Sequence, residues 1–352
     1  MSAYKTVNCQ FCGENITLLR RILKEEWGFD GFVLSDFVFG THPDSARNGL
    51  DLEMPFPVEF ASLLDQVESG ALPEEVVDEA VTRMVRKKLE YELDRPSPVD
   101  ASVIETAEPL AVADAALREG AVLLKNEDGA LPIDRNSLTR IVVVGALADE
   151  ENIGDTGSSS VRPSFVVTPM EGIRDALDAS VAIEHIDSDT LDSDDLSSIA
   201  SADAVIVVTG LTDEDDGEAI IGAGDRLDLD LPQEREQLIV DAASANDRVI
   251  VVLEGGGAIT MQDWLADPAA ILMVWYPGQM GGHAIADLLF GDANPSGKLP
   301  FTVPKSLDQL PPFDNVSLEV EYGYFHGYRY LDLRGGTPEF PFGFGLSYTS
   351  FA

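Results

Sequence analysis

The sequence predicts an α/β protein in two parts, the second of which is a sandwich of helices on a mostly parallel β-sheet. Its 352 residues allow roughly two domains of about 150 residues each, and a hydrophobic content of 45% is enough for ordinary cores. In residues 108–352, Val- and Ile-rich runs alternate with helical patterns, which is typical of a parallel sheet covered on both faces. Residues 94–107 are rich in Pro and Asp, which favours a linker after a first domain over residues 1–93.

The first domain has the predicted order β-α-β-β-α. Its strands are expected at Ser2–Val7, Gly31–Ser35 and Leu50–Met54. Asn15 is placed to cap a helix that ends at Gly28, and the apolar residues of that helix share one face: Leu18, Leu19, Ile22 and Leu23. Pro73 opens the last helix, whose inward face is predicted to consist of Val76, Val77, Ala80, Val81 and Met84.

The second domain has six apolar runs of strand length, separated by turn residues and helical patterns. The predicted strands are Ala121–Lys125, Ile141–Gly145, Val181–Ile186, Ala204–Gly210, Val249–Glu254 and Ile271–Tyr276. The predicted helices are Pro109–Arg118, Pro169–Leu177, Gln233–Ala245 and Gly282–Phe290. Several of these helices follow a strand, so the pattern predicts an αβα sandwich.

The charge balance is the most unusual property of the composition. There are 63 acidic and 23 basic residues, which give a formal net charge of −40. Such a chain repels phosphate backbones and anionic lipids, so neither nucleic acid nor a membrane is expected as a partner. High salt relieves the self-repulsion, and only seven of the basic residues are Lys. We therefore expect a halophilic protein of a salt-filled cytoplasm, with an acidic protein of a mesophile as the alternative.

Several other signals do not reach the threshold for a functional site. A membrane-spanning helix needs an apolar run of about 18 residues or more, and no run in the sequence approaches that length. No export signal is visible. Cys9 and Cys12 form a single C-x-x-C without a second ligand pair, so we expect no metal. The acidic segment Asp187–Asp195 misses the spacing of a calcium loop and is predicted to be a solvated surface.

Nucleotide and serine-hydrolase chemistry are also poorly supported. The glycines of Glu254–Gly257 follow a predicted strand, but the dinucleotide-binding motif G-x-G-x-x-G is absent. A nucleotide-binding protein is therefore only the third hypothesis for the function. Ser158 and its neighbours do not form a G-x-S-x-G elbow, and neither His283 nor His326 has an obvious serine partner. No cofactor is expected.

Two carboxylates remain as catalytic candidates. Asp36 comes directly at the end of the predicted strand Gly31–Ser35, where active sites of parallel β/α units are assembled. A helix cap or a loop hydrogen bond is the commoner role of such an Asp. Phe37 beside it could stack on a flat ligand or fill the core. Glu218 lies in a loop after Ala204–Gly210, where Asp213–Asp216 would raise its pKa if they were close; a hydrated loop is the alternative.

Longer segments of the sequence are similar to a known family. EEWGFDGFVLSDF, NGLDLEMP, GAVLLKNEDGALPI, WYPGQMGGHAIADLLFGDANPSGKLPFTVPKS and FPFGFGLSYTSF resemble glycoside hydrolase family 3, in its β-glucosidase and β-xylosidase branch. The resemblance implies a (β/α)8 barrel followed by an αβα sandwich, with the site between them. It also implies hydrolysis of terminal β-linked sugars in oligosaccharides or in aryl and alkyl β-glycosides, with retention of configuration.

The resemblance assigns roles to the candidates. Asp36 matches the nucleophile of the family's S-D-W motif, and Glu218 matches the acid/base in its G-E-G-Y-like loop. Phe37 stands where the family usually has Trp and is expected to bind substrate, and Ala219 replaces the usual Gly.

The resemblance covers only the end of the family's barrel. A barrel needs about 250 residues, so residues 1–93 would be a C-terminal remnant, and the residues that grip the sugar would lie in the missing portion. We expect a fragment with impaired activity. The alternative is a non-catalytic remnant, or a split-enzyme subunit whose barrel is completed by a second polypeptide.

Overall fold

A computed structural model describes residues 1–37, 40–95, 100–154, 157–218, 226–314, 317 and 319–350. The chain forms two compact units, Met1–Ala101 and Ser102–Ala352. Within the described ranges, no helix is both long enough and apolar enough to cross a membrane.

The larger unit is built on a mixed six-stranded sheet. The strands β3 (Val122–Asn126), β4 (Arg140–Val144), β5 (Ala182–Ile186), β6 (Ala204–Gly210), β7 (Val249–Glu254) and β8 (Ala270–Trp275) lie in the order β3-β8-β7-β6-β4-β5. All neighbours are parallel except β3, which runs antiparallel to β8. The prediction of an α/β fold with a mostly parallel sheet is confirmed, and each predicted strand lies within one residue of its observed bounds.

Helices cover both faces of this sheet, which explains why its central strands are apolar except at Thr209 and Glu254. Every residue of β6 and β7 is buried. One core lies between the sheet and the helices Ala107–Gly120, Pro169–Ala176 and Gly281–Phe290. The other lies under Ser193–Ala200 and Gln233–Ala245.

Two glycines allow helices on the first face to pack backbone against backbone. A Cβ placed on Gly172 would lie 1.9 Å from the carbonyl oxygen of Gly282, and one placed on Gly282 would lie 1.9 Å from that of Thr168. No side chain fits at that distance, so both positions require glycine. Thr168 also begins the first of these helices, because its hydroxyl accepts the N–H of Glu171 at 3.3 Å.

The helix Ser193–Ala200 was not predicted. Its N-terminus falls in the acidic segment that the sequence suggested to be only a solvated surface. Asp192 accepts the N–H groups of Asp194 at 2.7 Å and Asp195 at 3.0 Å, and Asp195 accepts the N–H of Asp192 in return. These carboxylates therefore form a capping box, and their charge also suits the positive end of the helix dipole.

The smaller unit begins with a hairpin rather than with the predicted strand Ser2–Val7. Its strands are β1 (Thr6–Val7) and β2 (Gln10–Phe11), which pair antiparallel. The turn residues Asn8 and Cys9 have φ values of 51° and 63°. Two consecutive positive φ angles reverse the chain in the way that a two-residue hairpin requires.

Asn15 caps the first long helix, as predicted. Its Oδ1 accepts the N–H groups of Thr17 at 3.0 Å and Leu18 at 3.1 Å. The helix Thr17–Glu26 has π-type hydrogen bonding, which the sequence did not predict. The predicted apolar face is confirmed, with Leu19 buried and three neighbours half-buried: Leu18, Ile22 and Leu23.

The second and third predicted strands of the smaller unit run parallel, but they form only one isolated bridge, between Leu34 and Leu52. Side chains interrupt the ladder on both sides of this bridge. On one side, Ser35 Oγ accepts the N–H of Met54 at 2.9 Å. The carboxylate of Asp51 accepts the N–H of Val33 at 2.8 Å. The predicted strand lengths were therefore wrong, although the parallel direction is present.

The helix Glu74–Glu90 begins after Pro73, as expected. Val76, Val77, Ala80 and Met84 are half-buried, but Val81 is 46% exposed, so its predicted inward position is wrong. The helix buries a narrower apolar stripe than the sequence suggested.

A buried ion pair fixes the core of the smaller unit. Lys24 Nζ lies 2.7 Å from Asp51 Oδ1, and both side chains are more than nine-tenths buried. Burial lowers the pKa of Lys24, and the hydrogen bond and charge of Asp51 act against that change. Asp51 thus holds the helix Thr17–Glu26 to the parallel segments through Lys24 and the Val33 N–H.

We predict that Asp51→Asn lowers the free energy of unfolding by about 3–5 kcal/mol, because it leaves the Lys24 charge buried without a counter-charge. Urea denaturation of both proteins measures the difference. Asp30→Asn is the matched control, since Asp30 pairs with Lys87 at the surface and its loss should change stability little. Equal effects of the two variants would contradict the assigned role of the buried pair.

Candidate active site

Asp36 lies at the carboxyl end of the segment that contains the Leu34 bridge. Ser35 before it is fully buried, and its N–H donates to the Leu52 carbonyl at 2.9 Å. The Asp36 side chain is half-buried, and its Oδ1 accepts the N–H of Phe37 at 2.9 Å. Asp36 therefore stands on a loop that directly follows a parallel element.

Phe37 projects an apolar ring beside this carboxylate. Its side chain is 47% exposed, and its carbonyl accepts the Tyr4 hydroxyl. The chain returns to Asp36 at Gly40, where a Cβ would lie 2.7 Å from the Asp36 backbone N and O. A side chain at position 40 would clash with the Asp36 backbone, so this position requires glycine.

A second carboxylate in the smaller unit, Glu53, was missed by the sequence analysis. It is buried and accepts the Thr41 hydroxyl at 2.5 Å and the N–H groups of Val58 and Phe60 at 2.8 Å. Burial alone would raise the pKa of Glu53, but these hydrogen bonds outweigh burial and hold the pKa below its usual value. Acidic residues within the apolar run LDLEM were the available signal.

Glu218 belongs to the larger unit and lies at the crossover point of its sheet. From β4 the chain moves outward to β5 and then returns past β4 to β6. The loops after β4 and β6 therefore leave the carboxyl edge in opposite directions, which is where open α/β sheets form ligand crevices. Glu218 is exposed on the loop after β6, and its carboxylate accepts the N–H of Ser158 from the loop after β4.

Asn152 joins the same two loops deeper in the unit. It follows β4 and is buried, and its Nδ2 donates to the Leu211 carbonyl at 2.9 Å and to Glu254 Oε2 at 2.8 Å. Leu211 begins the loop that carries Glu218. One amide thus connects the chain ends of β4, β6 and β7.

The acidic neighbours of Glu218 have partners of their own. Asp215 Oδ2 lies 2.6 Å from Arg235 Nη1 and accepts the N–H of Thr212 at 2.9 Å. Asp216 accepts the Tyr276 hydroxyl and, at 3.1 Å, the N–H of Gly256. The charges expected to raise the pKa of Glu218 are thus partly compensated at these two residues.

These partners also perturb the groups that they bind. Burial would raise the pKa of Asp215, but the Thr212 N–H and the Arg235 guanidinium hold it below its usual value. Burial and the nearby carboxylate of Asp216 raise the pKa of Tyr276. Neither Arg235 nor Tyr276 was a sequence candidate, although Tyr276 lies in the WYPGQ block.

An open α/β sheet with a crossover of this kind is the architecture of α/β domains that bind ligands at the carboxyl edge of their strands. In this chain the exposed carboxylate of Glu218 lies on a loop at that edge. Comparison with known proteins gives the family. Residues 121–348 match the model of the glycosyl hydrolase family 3 C-terminal domain, and residues 1–87 match that of its N-terminal domain. The chain belongs to glycoside hydrolase family 3.

Similarity to individual curated proteins supports this family assignment. The thermostable β-glucosidase B of Acetivibrio thermocellus is 34% identical over 100% of this chain and 47% of its own length. The exo-α-(1→6)-L-arabinopyranosidase of Bifidobacterium longum is 32% identical over 100% of this chain and 48% of its own length. The chain thus spans about half the length of these curated relatives.

Solved structures show the same likeness. The β-D-glucoside glucohydrolase of Trichoderma reesei superposes with a TM-score of 0.86 at 29% identity, over 99% of this chain and 53% of that one. The β-glucosidase 3B of Thermotoga neapolitana in complex with α-D-glucose gives a TM-score of 0.84 at 28% identity, over 99% and 54%.

We predict that Arg235→Met lowers stability at neutral pH by about 1–3 kcal/mol, because Asp215 loses a charged hydrogen bond. The pKa of Asp215 is lowered by folding, so its contribution exists above about pH 4 and is lost as pH falls through the folded value. The gap between wild type and variant should therefore narrow in acid.

Thermal unfolding between pH 3 and pH 7 measures this gap. Arg95→Met is the control, since Arg95 pairs with Glu92 on the surface at 70% side-chain exposure. A gap for Arg235→Met that stays constant with pH would contradict the ion pair as its cause.

Proposed function

We propose that this chain carries both catalytic carboxylates of a retaining glycosidase that acts on terminal β-linked sugars, with Asp36 as nucleophile and Glu218 as acid/base. The main support is that both family domains match the chain and that each contributes one such carboxylate on a loop after a parallel element. The names of relatives such as β-glucosidase B support a β-glucoside as substrate.

In this mechanism the Asp36 carboxylate attacks the anomeric carbon while Glu218 donates a proton to the leaving glycosidic oxygen. The aglycone leaves as an alcohol, and a covalent glycosyl-Asp36 ester remains. Glu218, now a carboxylate, takes a proton from water, which attacks the same carbon and releases the sugar with its original configuration. The mechanism requires the two carboxyl groups to come within about 5–5.5 Å of each other.

The hydrogen bond from Ser158 fits the second half of this cycle. An N–H donor stabilises a carboxylate more than a carboxylic acid, so it favours Glu218 as the base that activates water. The exposed ring of Phe37 is proposed to stack on the substrate beside the nucleophile.

We also propose that Met1–Ala101 is the last part of a (β/α)8 barrel. Its parallel bridge Leu34–Leu52 and its helices Thr17–Glu26 and Glu74–Glu90 fit consecutive β/α steps. Because substrate-positioning contacts supply much of the transition-state stabilisation, we expect low activity unless the remaining barrel is present. The alternative is a subunit or remnant whose barrel is completed by a second polypeptide.

Catalytic roles can be separated by leaving-group dependence. Asp36→Ala should lower kcat by at least about 10³-fold for every substrate, because no glycosyl-enzyme forms. Glu218→Ala should lower the rate of the first step by about 10²–10⁴-fold for alkyl β-glucosides, and far less for p-nitrophenyl β-glucoside, whose leaving group needs no proton.

These rates are measured with the chain alone and, where the gene immediately upstream encodes barrel strands, with that polypeptide added. Asp44→Ala is the control for Asp36, because Asp44 is exposed and its side chain makes no capping bond. Full activity of Asp36→Ala, or a Glu218→Ala loss independent of the leaving group, would overturn the assignment. Equal activity with and without the second polypeptide would overturn the split-enzyme alternative.

We propose that the chain is adapted to a salt-filled cytoplasm. Its net charge of −40 destabilises the folded state through self-repulsion, and the Debye length falls from about 10 Å at 0.1 M salt to about 3 Å at 1 M. We predict a higher Tm in 2 M KCl than in 0.1 M KCl. Calorimetry at both concentrations checks this, and a Tm that is unchanged or lower in 2 M KCl would contradict it.

A further inference from the structure

Glu254 is a fully buried carboxyl group that the proposed mechanism does not use. It is the last residue of β7, with 0% exposure. Its Oε2 accepts Asn152 Nδ2 at 2.8 Å, whereas Oε1 has no hydrogen-bond partner in the described part of the chain. An ionised carboxylate with one bare oxygen in such a place would be very costly, so the neutral acid is the form that this environment favours.

The groups around Glu254 belong to the loops of the candidate site. Asn152 stands on the loop that continues to Ser158, and its amide also binds the Leu211 carbonyl at 2.9 Å. The N–H of Leu211 donates to the Glu254 carbonyl at 3.0 Å. Glu254 therefore holds the beginning of both loops whose other ends meet at the Ser158–Glu218 hydrogen bond.

We propose that Glu254, as an uncharged acid, is a positioning residue that fixes these two loops and thereby the Glu218 carboxylate. The inference rests on the proposed function only for the role of Glu218. The anchoring of the loops can be tested without any catalytic readout.

Among the residues that the structure describes, none serves as a counter-ion for Glu254. Glu150, on the loop after β4, adds to the rise of its pKa. On the helix Gln233–Ala245, Arg235 is bound to Asp215 at 2.6 Å and lies 3.5 Å from Asp189. From the remaining loops, Asp216 and Tyr276 hydrogen-bond to each other. Each of these groups either repels a Glu254 anion or is already neutralised.

The direction of the pH dependence follows from this environment. Burial, chiefly, raises the pKa of Glu254 to about 8, from 4.5 in the unfolded chain. Between these values the folded protein holds a proton that the unfolded chain releases, so stability from this group falls as pH rises from about 4.5 to about 8 and then levels off. Above that range the anion forms inside the fold, and the loops should loosen.

Glu254→Gln is the informative variant, because it keeps the acceptor for Asn152 and cannot ionise. Hydrogen exchange is measured for both proteins at pH 6 and at pH 9. Comparing the two proteins at the same pH cancels the intrinsic pH dependence of exchange. At pH 9 we expect peptides within 146–154 and 211–218 to exchange at least about threefold faster in the wild type than in the variant. At pH 6 the difference should be much smaller, because Glu254 in the folded protein is still protonated there.

Two further variants complete the test. Glu151→Gln removes an exposed charge from the same loop and should behave like the wild type at both pH values. Glu254→Leu removes the acceptor and should loosen both loops already at pH 6. In parallel, the Tm of Glu254→Gln relative to the wild type should rise from pH 5 to pH 8 and then stay constant.

Equal exchange of wild type and Glu254→Gln at pH 9, or a difference spread over the whole unit, would overturn the inference. Loss of the proposed function would look different: Glu218→Ala would leave hydrolysis unchanged while the exchange pattern persisted. In that case Glu254 would still anchor the loops, and only the role of Glu218 would fall.

Discussion

The crossover of the parallel sheet between β4 and β6 is the constraint on which the candidate site depends. Parallel strands end at one edge, and only at a crossover do two neighbouring loops turn away from each other and leave a crevice. Here the loops after β4 and β6 leave the sheet at this crossover, and β7 and β8 follow beside β6 in the sheet. Glu218 stands at the end of this arrangement, and Asn152 and Ser158 connect it to the opposite loop.

The buried carboxyl groups show how the surroundings decide their charge. Asp51 forms an ion pair with Lys24, and Glu53 receives several N–H and O–H donors that favour its anion. Glu254 receives a single amide and has no cation beside it among the described residues, so its environment favours the neutral acid. In a chain of net charge −40, cations are scarce, and hydrogen-bond donors take over part of their role.

The sequence predicted the larger unit well because its strands are buried on both faces and read as continuous apolar runs; β6 and β7 were predicted to the residue. The antiparallel direction of β3 was not predictable from periodicity, and the helix Ser193–Ala200 was hidden because its acidic cap looked like a solvated surface. In the smaller unit, side-chain acceptors such as Asp51 replace the hydrogen bonds of a β-ladder. The two segments predicted as full strands therefore form a single isolated bridge. Asp36 and Glu218 became candidates through their positions after predicted strands, and the family motifs assigned their proposed roles. Glu254 was not a candidate, because its chemistry depends on burial.

The central claim is that Asp36 forms a covalent bond to the sugar in a reaction assisted by Glu218. The most direct measurement is mass spectrometry of a preparation that hydrolyses β-glucosides, after incubation with 2,4-dinitrophenyl 2-deoxy-2-fluoro-β-glucoside, which slows release of the intermediate. The account predicts one fluoroglucosyl group on the peptide that contains Asp36, and none in Asp36→Ala. A label on another residue, or no label in an active preparation, would contradict it.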